Sequence, residues 1–203
     1  MLLNNKVFII QGETMAKKKM KGKQWYDIVA PKDFGGKVIG EALITDPNEA
    51  ENRSMVVNYT HLNGHPSKYY VKIKLMADEV EENRIRMKYV GHECQRDYMY
   101  QMVRKRSMKI DNRMITETKD GKKVIIKTMG ISLRKTNTSI KSHIRKTVEK
   151  VIKKKVGEMK LKELIKSVLN DRLQKGTRKE VNKVYPLTRF EVRKMEIVEE
   201  KKE

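Results

Sequence analysis

The sequence predicts an α+β fold: a mainly antiparallel β-sheet, or a small barrel-like core, carrying a hairpin and followed by basic C-terminal helices. Three observations carry this. Lys68 to Ala77 and Arg84 to Val90 alternate apolar and polar residues, the period of strands that are dry on one face. Lys119-Asp120-Gly121-Lys122 places Asp-Gly between two β-rich runs, which is the chemistry of a tight hairpin turn. From Asn137 onward the apolar residues recur with helical spacing.

In chain order, residues 1–24 read as a flexible basic tail in which Lys17, Lys18, Lys19, Lys21 and Lys23 face no acid. Within it, Met15-Ala16-Lys17 resembles a native start, and Gly12-Glu13 is encoded by codons that can form a purine-rich ribosome-binding sequence. Residues 1–14 are therefore expected to be an extension added upstream of the true start, loosely ordered in either case. Trp25 to Ala30 is a short mixed run closed by Pro31, and Gly35-Gly36 makes a turn. Lys37 to Thr45 and Ser54 to His61 are β-rich, separated by the turn residues Asp46-Pro47-Asn48. In the first alternating segment Tyr69, Val71, Ile73 and Leu75 face inward and Lys68, Lys72 and Lys74 outward. In the second, Ile85, Met87 and Tyr89 oppose Arg84, Arg86 and Lys88.

Arg96 to Arg106 switches to helical spacing, with Met99, Met102 and Val103 on one side, and Arg113 to Thr118 with Lys123 to Ile131 forms the hairpin. Ile140, Ile144, Val148, Val151 and Ile152 make one helical stripe; Leu161, Leu164, Ile165, Val168, Leu169 and Leu173 make a second after Gly157. Gly176 is expected to stop that helix. Thr177 with Glu180 forms a capping box for a third, short helix ending near Val184. Pro186 breaks it, and Arg189 to Val198 returns as a strand. The whole of 25–203 is read as a single domain, with a β-rich core over 25–133, a helical part over 137–184 and the returning strand over 189–198.

The 203 residues hold 47 Lys and Arg against 26 Asp and Glu, a net charge of +21. An excess of this size repels itself and calls for a polyanionic partner. Nucleic acid supplies one and releases counterions on binding; anionic membrane is the rival acceptor. No lipidation signal, secretory peptide or apolar run of membrane-spanning length is present, which favours nucleic acid and a cytoplasmic protein. A single cysteine, Cys94, excludes a disulfide scaffold.

Catalytic constellations are poor. Gly35 and Gly40 have P-loop spacing, but Glu41-Ala42 stand where Lys and Ser/Thr are required. His61 and His65 share a His-x₃-His spacing, yet Gly64 and Pro66 place them in a loop without further ligands. His92-Glu93-Cys94 brings imidazole, carboxylate and thiol close in sequence. A nucleophilic cysteine needs a base across space and an orienting group, and a strand-end cysteine is more often an inert small hydrophobe. No cofactor or metal site is expected.

Basic stretches are the positive signal. Between Arg134 and Lys160 lie ten cations (Arg134, Lys135, Lys141, Arg145, Lys146, Lys150, Lys153, Lys154, Lys155 and Lys160) against Glu149 and Glu158. Lys141, Arg145, Lys155 and His143 are read as lying off the apolar stripe, so that one helix docks to core and phosphate together. Arg104-Lys105-Arg106 adds a patch at the end of the preceding helix. Solvated charge runs usually mix signs and these do not. Trp25 and Tyr26, beside the lysine tail, either stack on an unpaired base or plug the sheet edge, and Tyr26 fits the second role better. No helix-turn-helix, zinc finger or RRM signature appears, so shape and phosphate recognition is expected rather than sequence reading of duplex DNA.

Several motifs stand together in one order. They are Gln24-Trp25-Tyr26-Asp27-Ile28-Val29-Ala30-Pro31; Gly91-His92 with Arg96-Asp97; Met102-Val103-Arg104-Lys105; Thr118-Lys119-Asp120-Gly121; Arg134-Lys135-Thr136; and Val184-Tyr185-Pro186-Leu187 with Val192-Arg193-Lys194. From Met15 to Val198 the chain thereby resembles the archaeal and eukaryotic small-subunit ribosomal protein three-A family, in its archaeal form without the longer eukaryotic C-terminal tail. The resemblance implies a structural, non-enzymatic constituent of the small ribosomal subunit that supports translation. It implies a place on the platform near the mRNA exit, no cofactor, and contacts with small-subunit rRNA, neighbouring ribosomal proteins and mRNA. Two alternatives are an RNA-modifying enzyme using Cys94 or a histidine and a free basic RNA-binding protein.

Overall fold

The computed structural model describes residues 22–45, 47–64, 66–81 and 83–198. Its strands are β1 (Gln24–Val29), β2 (Val38–Ile44), β3 (Ser54–Asn58), β4 (Val71–Glu81), β5 (Arg84–Cys94), β6 (Lys109–Glu117), β7 (Lys123–Ser132) and β8 (Leu187–Ile197). Its helices are α1 (Tyr59–Asn63), α2 (Arg96–Gln101), α3 (Thr138–Glu158), α4 (Leu161–Leu169) and α5 (Arg172–Val181). Strand and helix share one molecule, as an α+β fold requires.

β5 organises the sheet. One of its edges pairs antiparallel with β4 along its whole length. Its other edge is divided: Arg84–Arg86 pairs with β1, in parallel, and Gly91–Glu93 pairs antiparallel with β8. The order β3-β4-β5-β1-β2 forms a barrel-like unit in which the two end strands, β2 and β3, line one groove. Among the described residues no ladder joins β2 to β3, so hydrogen bonding does not close the barrel. Met55 reaches over that seam, its Cε 3.9 Å from where a Cβ on Gly40 would lie. Beyond β5 the sheet continues through β8 and β7 to β6. The β5–β8 ladder is three residue pairs long, and a Cβ on Gly91 would collide with the Met195 carbonyl, so glycine is what lets β8 approach there.

The expected alternation holds where pairing is regular. Val71, Ile73, Leu75, Ile85 and Met87 are buried in the core. It fails at its start: Tyr69 is exposed, and Lys68 lies in a 3-10 turn and points inward. Ser54 to His61 is not one strand, because β3 ends at Asn58 and α1 follows, which puts His61 on a helix; His65 lies outside the described residues. α2 ends at Gln101; Met99 and Met102 are buried while Val103 is exposed.

Gly176 does not stop a helix. The break falls at Asn170-Asp171, where Asp171 takes φ 58, and both Gly176 and Thr177 lie inside α5. α3 passes beside Gly176, where the nearest atom to the place of a Cβ is the Lys155 Nζ at 2.6 Å, the mobile end of a side chain that can swing aside. The end of α5 is tied to β8, with the Leu187 N–H donating to Asn182 Oδ1 at 2.9 Å and Arg178 Nε donating to the Leu187 carbonyl at 3.0 Å. Leu164, Leu173, Ile144, Ile152 and Val181 from the three long helices meet Ile126, Val192 and Met195 of the sheet in one core.

Candidate nucleic-acid interface

The hairpin of β6 and β7 brings two basic loops to one end of the sheet. Lys109 at the start of β6 stands opposite Ile131 near the end of β7. The Met108 N–H donates to Ser132 Oγ at 3.1 Å, and that hydroxyl donates to the Arg134 carbonyl at 2.7 Å. Arg104, Lys105 and Arg106 therefore emerge beside Arg134 and Lys135, and all five are exposed. They sit in a turn beyond α2 rather than on its last residues. Ser107 closes the turn, its Oγ donating to the Arg104 carbonyl at 2.6 Å and accepting the Arg104 N–H at 3.1 Å. Arg106 takes φ 66 within it.

α3 starts at this basic end and runs to the hairpin tip, where the Lys119 N–H donates to the Met159 carbonyl at 3.0 Å and Asp120 Oδ2 accepts the Leu161 N–H at 3.0 Å. Ile144, Val148, Ile152 and Val156 are its buried stripe, while Ile140 is exposed. Three and four residues around the helix bring side chains to one face. Lys141, three before Ile144, and Lys155, three after Ile152, thus fall on the stripe side and are half-buried, contrary to the expectation that they lie off it. The outward face carries His143, Lys146, Lys150, Lys153 and Lys154, all exposed. Lys153 pairs with Glu149 at 2.7 Å.

Arg145 is exposed and occupied. Its Nε donates to the Asp111 carbonyl on β6 at 3.1 Å, and its own carbonyl accepts from Asn112 Nδ2 at 3.1 Å. These two bonds clasp α3 to the strand that ends the sheet, a role that spacing alone did not indicate.

The β4–β5 hairpin, by contrast, cancels its own charge. There Arg86 meets Glu81 at 2.7 Å and Glu79 at 3.8 Å, and Lys88 meets Asp78 at 3.4 Å. Lys23 is exposed just before β1, and Trp25 is 63% exposed opposite Leu43, whereas Tyr26 is buried as expected. Both Lys23 and Trp25 belong to the barrel-like unit, and the structure does not join them to α3. Lys17, Lys18, Lys19 and Lys21, with residues 1–14, lie outside the described residues.

The His92-Glu93-Cys94 group does not converge. Glu93 turns to the opposite face of β5 and meets Lys194 at 3.7 Å. The Cys94 thiol is buried, donates to the Val192 carbonyl at 3.4 Å, and is pushed up to about 12, chiefly by burial, so it stays protonated. Burial, and then the Lys68 charge, lower His92 to about 4; its Nδ1 lies 2.7 Å from the Tyr89 hydroxyl. The same region holds what the sequence did not disclose: Lys68 Nζ pairs with Asp171 at 2.6 Å and donates to the Leu169 carbonyl. Glu191 beside them is raised to about 7 by burial, then by Asp171. Among the described residues no three His, Cys, Asp or Glu side chains are grouped to hold a metal, and no helix is long and apolar enough to cross a membrane.

Comparison with known proteins gives the same direction as the cation face. Residues 11–201 match the model of the Ribosomal S3Ae family. A small ribosomal subunit protein eS1 of Methanothermobacter thermautotrophicus is 31% identical over 180 residues, covering 89% of this chain and 92% of that one. The eS1 of Sulfurisphaera tokodaii is 32% identical, covering 93% and 98%, and that of Methanococcus maripaludis is 32% identical, covering 93% and 84%. The match runs through β1, the hairpin, α3 and β8 alike, and this chain belongs to the Ribosomal S3Ae family.

Proposed function

We propose that the chain is a structural protein of the cytoplasmic small ribosomal subunit, and that it neutralises rRNA phosphates with the outward face of α3 and the basic end of the β6–β7 hairpin. The carrying observation is that Lys146, Lys150 and Lys154, with Arg104, Lys105, Arg106, Arg134 and Lys135, gather as exposed cations along α3 and at its origin, whereas the β4–β5 hairpin pairs its cations with its own acids. Lys23, Trp25 and the lysines before them are a second contact, reaching RNA from the barrel-like unit. A position on the platform near the mRNA exit, beside neighbouring ribosomal proteins, goes with this reading. The role is structural rather than catalytic: a protonated, buried Cys94 and a neutral, buried His92 provide no accessible nucleophile or base. Sedimenting a lysate through a sucrose gradient at moderate salt tests it. The protein is expected with the small subunits; protein that stays at the top of the gradient overturns the reading.

A further inference from the structure

The barrel-like unit leaves a groove along the seam where β2 and β3 fail to pair. Each of these strands has its ladder on one side alone among the described residues, β2 with β1 and β3 with β4, so each turns an unpaired backbone edge to the seam. Soluble proteins normally blunt such edges with prolines, inward charges or a covering loop. Here the edges instead expose β-branched residues: Val38 is 57% and Val56 58% exposed. The charged side chains lining the groove are Lys37 and Lys72, with the imidazole of His61 beside them and no acid. Glu93 stands opposite Lys72 across the β4–β5 ladder and meets Lys194 at 3.7 Å, and Asp27 and Glu41 face each other across the β1–β2 ladder; none of these acids lines the groove.

We propose that this seam is a docking site for an extended acidic segment of a neighbouring protein, which lies between β2 and β3 as an added strand. Free N–H and C=O groups hold its backbone, Val38 and Val56 accept its apolar side chains, and Lys37 and Lys72 meet its carboxylates. A peptide fits these features better than RNA, since strand edges bind a backbone of amides and the groove wall offers apolar β-branched side chains with no aromatic platform for bases. The proposal rests on the ribosomal reading, because it places the segment within the assembled particle.

A photoreactive p-benzoylphenylalanine in place of Val56, irradiated in purified small subunits, tests it. The expected product is a nuclease-resistant adduct whose partner peptide, mapped by mass spectrometry, is rich in Asp and Glu. Adding Lys37→Glu and Lys72→Glu should lower adduct yield by roughly ten-fold while the protein still sediments with the particle. An adduct with RNA, an adduct with a peptide lacking acids, or no adduct in particles that contain the protein overturns the docking proposal alone. Failure of the unirradiated protein to sediment with small subunits overturns the ribosomal reading and this proposal with it.

Discussion

Lys68 joins parts of the chain that lie about a hundred residues apart, and its surroundings make stability sensitive to pH. Its ammonium sits at the C-terminal end of α4, on the Leu169 carbonyl, and pairs with Asp171, whose left-handed backbone the pair helps to hold. Gln174 Nε2 also donates to the Asp171 carboxylate, at 3.3 Å. Glu191 is close enough to feel both charges. Burial and Asp171 raise it to about 7, outweighing the pull of Lys68 and Arg189. A carboxyl whose folded value lies above its unfolded value is favoured in the protonated state. Its contribution is fully present below the unfolded carboxylate range and is lost as pH climbs through about 7. Glu191→Gln keeps the neutral shape and removes that loss, so the variant should exceed the wild type in stability by about 2 kcal/mol at about pH 8 and by much less at about pH 5. His92, lowered to about 4, acts in the opposite sense, gaining stability as pH rises from about 4 to its unfolded range, but this is common to both proteins and cancels in the difference. Urea denaturation at the two pH values measures it, and equal stabilities at about pH 8 would refute the assignment. None of this was legible beforehand. Lys68 reads as an outward strand lysine because the alternating pattern includes it, and only the strand's actual start at Val71 frees it to turn inward toward a partner at Asp171.

At the scale of elements, α3 has two jobs that separate around its circumference. Its apolar stripe and Arg145 attach it to the sheet, while His143, Lys146, Lys150, Lys153 and Lys154 face out. Replacing Lys146, Lys150, Lys153 and Lys154 by Gln should weaken binding to small-subunit rRNA and, by relieving their mutual repulsion, raise the stability of the free protein slightly. The slope of log affinity against log salt should fall by up to about 0.9 for each phosphate that these lysines neutralise. Arg145→Gln should do the reverse, lowering stability by about 1 kcal/mol through the missing bond to β6 and altering the slope by about 0.9 at most. Filter binding across a salt series with parallel thermal melts tells these apart; an unaltered slope in the quadruple variant would remove α3 from the interface. The helix and its stripe were legible because an apolar period over twenty-one residues has no other fold. The outward face was less so: Lys141 and Lys155 count as surface cations in the sequence, yet sit on the stripe side, Lys155 over Gly176. Gly176 itself reads as a helix stop by local rules, yet it lies inside α5 and only the mobile end of Lys155 stands close to it. Local patterns disclose periods; where the helix breaks, at the left-handed Asp171 that pairs with Lys68, depends on a contact across about a hundred residues that one segment cannot show.

Across the whole molecule the charge of +21 is distributed unevenly, and that asymmetry makes stability and binding respond oppositely to salt. The barrel-like unit pairs much of its own surface charge, as on the β4–β5 hairpin, while α3 and the loops at its origin gather cations with few acids among them. Those cations repel one another in the free protein, held at fixed positions by a helix clasped to β6 and a turn closed by Ser107. Added salt screens that repulsion over a distance of about 10 Å at 0.1 M and less at higher concentration. The melting temperature of the free protein should therefore rise by several degrees between roughly 0.05 M and roughly 0.5 M KCl. Over the same range its affinity for rRNA should fall by orders of magnitude, since the counterions released on binding are then returned to a solution already rich in them. A surface of balanced ion pairs would do otherwise, losing stability as salt screens its attractions and binding RNA with little salt dependence. A melting temperature that declines with KCl would thus show that the cations of α3 are compensated within the protein, and would remove the electrostatic basis for an RNA partner on that face.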